Sequence, residues 1–328
     1  MKKIIILISA LFLLIVISLF CTVKKKETNL QKIKVAEVTH SIFYTPMYVS
    51  DALGYFKDEG LDVEIILTSG ADNVAAAVLS GDVQIGFCGS EQSIYIYNKG
   101  AKDYLVNFAG LTKRDGSFLI SREKDDNFDL SHLIGKDIIG GRQGGMPAMT
   151  LAYTLHEFGI NEDDVNIDTS VAFASMAGAF IGGTGDYVTL FEPNATQLER
   201  QGYGYIVASV GEIGGVVPYT AFNAKKSYIE KNPQVIEGFT KAIQKGLDYT
   251  FNHNDEEIAN LIRDYFPDVS FNDLVAAIKN YRKNDSWFKT TYISKEGFDH
   301  IQEIMQYNKV LDKKVPYKLL VNNEYSHE

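Results

Sequence analysis

The chain is poor in the residues that staple or metallate small folds. It has two cysteines, Cys21 and Cys88, one tryptophan and seven prolines in 328 residues. With Cys21 at the end of an N-terminal apolar run, no disulfide framework is available, so a hydrophobic core must hold the fold. The six histidines are scattered, and none pairs with another at metal-ligand spacing. No phosphate loop of the Gly-x-x-x-x-Gly-Lys-Ser/Thr type is present, nor Gly-x-Ser-x-Gly, nor His-Glu-x-x-His. No cofactor and no metal are therefore assigned. Positive charge is also short: 32 Lys and Arg against 42 Asp and Glu leave a net charge of −10. That balance argues against a nucleic-acid partner.

What is present begins at the N-terminus. Lys2 and Lys3 precede an apolar run from Ile4 to Phe20, and Cys21 follows. A short basic region before an apolar core reads as an export signal. Cys21 stands where a lipoprotein carries its lipid-modified first residue, although Phe20 occupies a place where a small residue is expected. The run is slightly short of the ~20 residues of a membrane-spanning helix, so an uncleaved anchor is one alternative and simple secretion another. All three place the folded part outside the cytoplasm. Residues 1–21 are read as signal or anchor, and 22–32, with Lys24-Lys25-Lys26, as a solvated tether.

Beyond the tether the chain alternates strands and helices. Ile33–Val38 reads as a strand and leads into an aromatic turn, Phe43, Tyr44, Pro46 and Tyr48. Pro46 sits in the first turn of the next helix, where a missing N–H costs nothing. Gly60 ends that helix, and Leu61, Val63 and Ile65 alternate with Asp62 and Glu64 as in a half-buried strand. An approximate repeat follows at an offset of about 100 residues. Pro46, Gly60, Val63, a helix over 69–79, Gly81-Asp82 and the strand Val83–Phe87 are matched by Pro147, Gly159, Val165, a helix over 174–180, Gly185-Asp186 and Tyr187–Phe191. Each copy is expected to fold as a small α/β lobe. Phe118–Ile120 reads as a short apolar strand, and the segments near it and near Val217 as the passages between lobes. From Ser227 onward only helices are expected: one opened by Pro233, then Glu256–Phe266, Phe271–Tyr281 and Lys295–Tyr307.

Tyr44-Thr-Pro-Met-Tyr48 followed by Gly54-Tyr-Phe-Lys-Asp-Glu-Gly-Leu-Asp-Val63 resembles the opening of ABC-importer substrate-binding proteins for sulfonates, nitrate, taurine and thiamine-pyrimidine precursors. The resemblance runs from about residue 33 onward. It implies a two-lobed periplasmic-binding fold of type II, α/β in class, with C-terminal helices returning to the first lobe. The expected division is 33–118 plus 222–315 for lobe 1 and 119–221 for lobe 2. It further implies a monomer that delivers a small molecule to an ABC permease and its ATPase at the outer face of a bacterial membrane.

Candidate ligand-binding residues come from the turns at strand ends, where open α/β sheets bind ligands. Ser69 and Gly70, and Arg142 and Gly144 in the run Gly140–Gly145, open helices in matched positions and offer backbone N–H groups. An NAD site at Gly140–Gly145 lacks the Gly-x-Gly-x-x-Gly spacing. Ser90 and Glu91 follow one strand and Glu192 follows its counterpart; both carboxylates could accept from an amine or amino-heterocycle. Tyr44, Tyr48, Phe87, Phe173, Phe191 and Tyr219 are faces on which a planar ligand could stack. Arg142 is the counterweight, suited to a sulfonate, carboxylate or phosphate. This inventory favours a pyrimidine-like nitrogen heterocycle, with an anion of the nitrate or sulfonate kind as the alternative. A sensor module is a further reading. So is an enzyme, since fungal thiamine-pyrimidine synthases resemble the same fold. They carry Cys-Cys-Cys-Phe-Cys, however, where this chain has Phe87-Cys88-Gly89-Ser90.

Overall fold

Ile33 and Val35 are buried while Lys32 and Lys34 between them are exposed, the period-two pattern that seats a strand on a core. The computed structural model describes residues 30–68 and 70–327. The signal or anchor reading, Cys21 and Ser69 fall outside these. Among the described residues ten strands are formed: β1 (Gln31–Glu37), β2 (Leu61–Leu67), β3 (Ile85–Gly89), β4 (Leu105–Thr112), β5 (Ser117–Ser121), β6 (Asp137–Ile139), β7 (Asn166–Asp168), β8 (Tyr187–Phe191), β9 (Tyr205–Ser209) and β10 (Thr220–Lys225).

They build two five-stranded sheets, in the orders β2-β1-β3-β10-β4 and β7-β6-β8-β5-β9. In the first, β1 runs parallel to β2 and β3, and β10 is antiparallel to β3 and β4. In the second, β6 runs parallel to β7 and β8, and β5 is antiparallel to β8 and β9. The two sheets thus share one plan, with β5 standing where β10 stands. The repeat seen in the sequence is a repeat of sheet topology.

One expected passage between lobes is corrected. Phe118–Ile120 lies inside the second sheet as β5, paired along its length with β8 and β9. It is the short apolar strand expected, but the crossing lies just before it, and only long-range pairing shows that. The chain leaves the first sheet at Thr112 and enters the second at Ser117. It returns through the short helix Val210–Gly214 and residues 215–219. The two passages run side by side: Val217 N donates to Lys113 O and Tyr219 N to Thr112 O, both at 3.0 Å. Gly211 is required here, since a Cβ would lie 2.0 Å from Asp115 O.

The helix expected to run on to Gly60 breaks instead into Thr45–Ala52 and Tyr55–Asp58, because Gly54 between them takes φ +73°. Pro233–Asn252 packs on the first of these helices. Gly246 faces Ser50, whose Oγ donates to Pro46 O and Ala242 O at 2.9 Å each. The later helices touch more than the first sheet's lobe. Asp273 of Phe271–Lys283 takes both terminal nitrogens of Arg200, which follows β8, and Tyr307 stacks on His156 with centroids 4.5 Å apart. Their apolar stripes foretold burial, but helical periodicity cannot name the partner.

Candidate ligand-binding site

The strand ends β3 and β8, the aromatic turn after β1 and the two passages converge between the sheets. Ser41 accepts from Phe43 N and opens a tight turn over Ile42–Tyr44, which leaves both rings at the start of the Thr45–Ala52 helix. Phe43 meets Phe191 of the other sheet edge-on at 5.8 Å and Tyr219 at 6.0 Å, and packs on Tyr281 at 4.9 Å. Tyr44 packs edge-on against Phe87 at 4.5 Å. Phe173 is half-exposed and lies 5.6 Å from Phe191. Aromatic residues of both lobes therefore touch in one place.

Glu91 is the polar centre. It opens the helix Glu91–Asn98 immediately after β3 and is 3% exposed. Its Oε2 has no partner elsewhere in the protein; the carboxyl is met by its own backbone N–H and, at Oε1, by Gln92 Nε2 at 3.5 Å. Burial pushes the carboxyl up to about 7, against its hydrogen bonds and the charge of Arg142. Ser90 beside it is wholly buried and donates Oγ to Pro218 O at 2.6 Å, tying this strand end to the return passage. Tyr219, next along that passage, is buried, with its hydroxyl against the Asp115 carboxyl.

Other candidates are differently placed. The Glu192 carboxylate is already satisfied: it accepts from Thr196 N at 3.0 Å, Thr196 Oγ1 at 2.7 Å and Asn280 Nδ2 at 2.6 Å. It secures the start of the Asn194–Arg200 helix and the contact with Phe271–Lys283. Tyr48 is fully buried and donates to Glu37 Oε2 at 2.6 Å, in a cluster with His40, whose Nε2 meets Tyr265 O. Arg142 is half-exposed and reaches Asp72 across the interface at 3.3 Å, rather than Glu91 or Glu192. Gly70 and Gly144 take φ of +100° and +69°, as their turns require. Gly144 O faces Tyr95 Oη at 3.5 Å.

Two participants escaped the sequence reading. Phe43 was passed over in favour of its neighbour Tyr44. Asp115 lies in the outgoing passage, 2% exposed; its Oδ1 accepts from Ser117 N at 2.7 Å and from Ser117 Oγ at 2.5 Å, and the Tyr219 hydroxyl lies beside the carboxyl. The Asp-Gly-Ser turn was its sequence signal. Cys88 is sealed in the core, where burial pushes its thiol far up, and Asn223 Nδ2 approaches its sulfur at 3.5 Å. A thiol so protonated is inert as nucleophile or ligand. Among the described residues no cluster of His, Cys, Asp and Glu could hold a metal ion, and no helix is long and apolar enough to cross a membrane.

The family model described as NMT1/THI5 like matches residues 42–257. YtlA of Bacillus subtilis, named provisionally as a binding protein, is 44% identical over 305 residues, which is 93% of this chain and 91% of that one. The 4-amino-5-hydroxymethyl-2-methylpyrimidine phosphate synthase of Candida albicans is 26% identical over 227 residues, 64% of each chain. Among solved structures, the alkanesulfonate-binding protein SsuA of Xanthomonas axonopodis, bound to MOPS, superposes with a TM-score of 0.71 at 12% identity. It covers 89% of this chain and 98% of that one. The two-lobed periplasmic-binding fold is thereby shown.

Proposed function

Because the chain belongs to the NMT1/THI5-like family, we propose that it is the extracytoplasmic solute-binding component of an ABC importer. It closes two lobes on a planar, nitrogen-containing small molecule and passes that molecule to a permease driven by its ATPase. The lobes are β1–β4 with β10 and the C-terminal helices, and β5–β9 with their helices. They hinge about residues 113–116 and 215–218. The protein acts as a monomer, tethered by lipid on Cys21.

One observation carries the ligand class: the buried Glu91 carboxyl with an oxygen that no other residue satisfies. A buried acceptor left unpaired costs about 1–3 kcal/mol, and an N–H donor from a ligand removes that cost. A bare anion facing it would add repulsion and desolvation. The aromatic rings of Tyr44, Phe43, Phe191 and Phe173 supply faces for a flat ring. Only a closed form brings ligand contacts from both lobes together, so binding shifts the population toward closure by its differential affinity. No bond is made or broken: Cys88, read as the counterpart of the synthases' cysteine-rich motif, is buried and its thiol is held well above the usual range.

Calorimetry on the purified protein with 4-amino-5-hydroxymethyl-2-methylpyrimidine, taurine and nitrate tests this reading. The aminopyrimidine is expected to bind and the anions to be ignored. Tight taurine binding, abolished by Arg142→Ala, would instead assign the cleft to anions.

A further inference from the structure

Both ring nitrogens of His40 face acceptors: Nδ1 lies 2.8 Å from Glu37 Oε1, and Nε2 lies 2.7 Å from Tyr265 O. A neutral imidazole has one N–H and one lone pair, so it can donate to only one of them. Either the ring carries two protons, or the proton shared with Glu37 sits on the carboxyl. A glutamic acid ordinarily loses its proton at about 4.3 and an imidazolium at about 6.5, so the proton belongs on the ring. Glu37 is 2% exposed and also accepts from the Tyr48 hydroxyl at 2.6 Å, whereas 36% of the His40 side chain meets solvent. A buried carboxylate needs a charged partner, and His40 supplies one whose other side is in water.

Three elements meet at this ring. Glu37 ends β1, and Tyr48 lies on the helix Thr45–Ala52 with its hydroxyl also 3.0 Å from Nδ1. Tyr265 ends the short turn Arg263–Tyr265; the Phe266 ring after it stacks on His40 with centroids 4.7 Å apart. The Tyr265 hydroxyl is engaged by Asp51 at 2.6 Å. The titratable groups facing His40 are thus Glu37 and Tyr48, with the Tyr265–Asp51 pair beyond them. Glu37 and Tyr48 bracket the turn that carries Phe43 and Tyr44. His40 stands inside that loop, next to the Ser41 that caps it. One ring therefore closes the loop on itself and ties it to the C-terminal helices.

The hydrogen bond to Glu37, opposed by burial and aided by Tyr265 O and the Glu37 charge, raises the ring above its ordinary 6.5. Above that raised value the proton leaves Nε2, because Nδ1–H faces the carboxylate. A lone pair then meets the Tyr265 carbonyl, and the tie to the C-terminal helices is lost.

We propose that His40 is a positioning residue, an imidazolium that clamps the aromatic turn in place and releases it on deprotonation. The clamp needs no ligand; its effect on binding rests on the reading of the cleft as the solute site.

The chain's one tryptophan, Trp287, donates its indole N–H to Phe43 O at 2.8 Å and so reports on the turn. The test follows the nitrogen-15 signals of wild type and His40→Gln across neutral pH. In wild type both His40 nitrogens should stay protonated through pH 6.5, where an ordinary imidazole is half neutral. The Trp287 signal should shift with the same, higher midpoint, and that step should be missing in His40→Gln. Affinity for 4-amino-5-hydroxymethyl-2-methylpyrimidine should be several-fold weaker in His40→Gln at pH 6. The deficit should close once wild-type His40 has lost its proton. A His40 ring with a single proton at pH 6.5 would put the shared proton on Glu37 and overturn the proposal. So would a Trp287 step retained in His40→Gln, or equal affinity of the two proteins at pH 6. If His40→Gln does not fold, the wild-type midpoints decide: differing values for His40 and Trp287 would sink the clamp. If both spectral results hold and wild type binds no probe, the solute reading fails while the clamp stands.

Discussion

The Glu91 carboxylate lies directly over the α-carbon of Gly89: a methyl group placed there would sit 2.0 Å from Oε2. Gly89 ends β3, and its missing side chain is what lets the carboxylate fold back over the strand end. Gly89→Ala is therefore expected to push Glu91 aside and lower aminopyrimidine affinity by about tenfold, roughly 1.4 kcal/mol, while the protein stays folded. Calorimetry and a thermal melt on one preparation check it. Wild-type affinity would show that the position of Glu91 is immaterial.

Glu91 also makes the ligand-free protein sensitive to pH. Its folded-state value of about 7 lies above the ordinary 4.5, so the folded form holds the proton more tightly than the unfolded chain. The sign follows: the stability is fully present below about 4.5 and is lost as pH rises through 7, by up to about 3 kcal/mol. Asp115, raised by burial to about 6, acts in the same direction. Denaturant melts between pH 4.5 and 8 are expected to show this fall, and Glu91→Gln to flatten it. A Glu91→Gln curve as steep as wild type would refute the assignment.

Glu192 is expected to behave as the opposite case. Three donors converge on its carboxylate, so Glu192→Ala strands Thr196 N and Asn280 and costs about 2–4 kcal/mol of stability. Affinity at saturating folded protein should change less than for Glu91→Ala. A large affinity loss at full stability would return Glu192 to the ligand site.

Gly246 tests the packing of the long C-terminal helix. A Cβ there would approach Ser50 Oγ to 2.0 Å and Pro46 O to 2.2 Å. Alanine gains roughly 1 kcal/mol in helix propensity, yet the forced separation of the two helices should leave a net loss of about 2 kcal/mol. The unfolding midpoint reads it, with ligand affinity unaffected.

The lipid tether proposed on Cys21 makes a separate prediction. Cys21→Ala should release the protein from the membrane fraction and abolish incorporation of labelled lipid. Retention of the variant, with no label on wild type, points to an uncleaved anchor instead.

Several features were legible before any coordinates, because they depend on local chemistry and period. Alternating Leu61, Val63 and Ile65, the Pro233 and Lys295 helix starts and the glycine at position 60 follow from strand period, proline stereochemistry and left-handed backbone preference. The repeat was visible because the order of Pro, Gly and Gly-Asp survives where identity does not. What the sequence could not decide is which neighbour each residue meets. Glu91 and Glu192 both follow a strand end in matched copies, yet one carboxylate is left unpaired and the other is fully used. The difference comes from Asn280, 88 positions downstream of Glu192, and from Gly89, which offers Glu91 room but no donor. Phe118–Ile120 was legible as a strand, but its place inside the second sheet rather than at the crossing comes from β8 and β9, which pair with it from both sides. Asp115 emerged only when the two passages lay side by side and Tyr219 came to rest beside it. Period and stereochemistry act over a few residues, whereas hydrogen-bond satisfaction in a buried site is settled by groups that folding alone brings together.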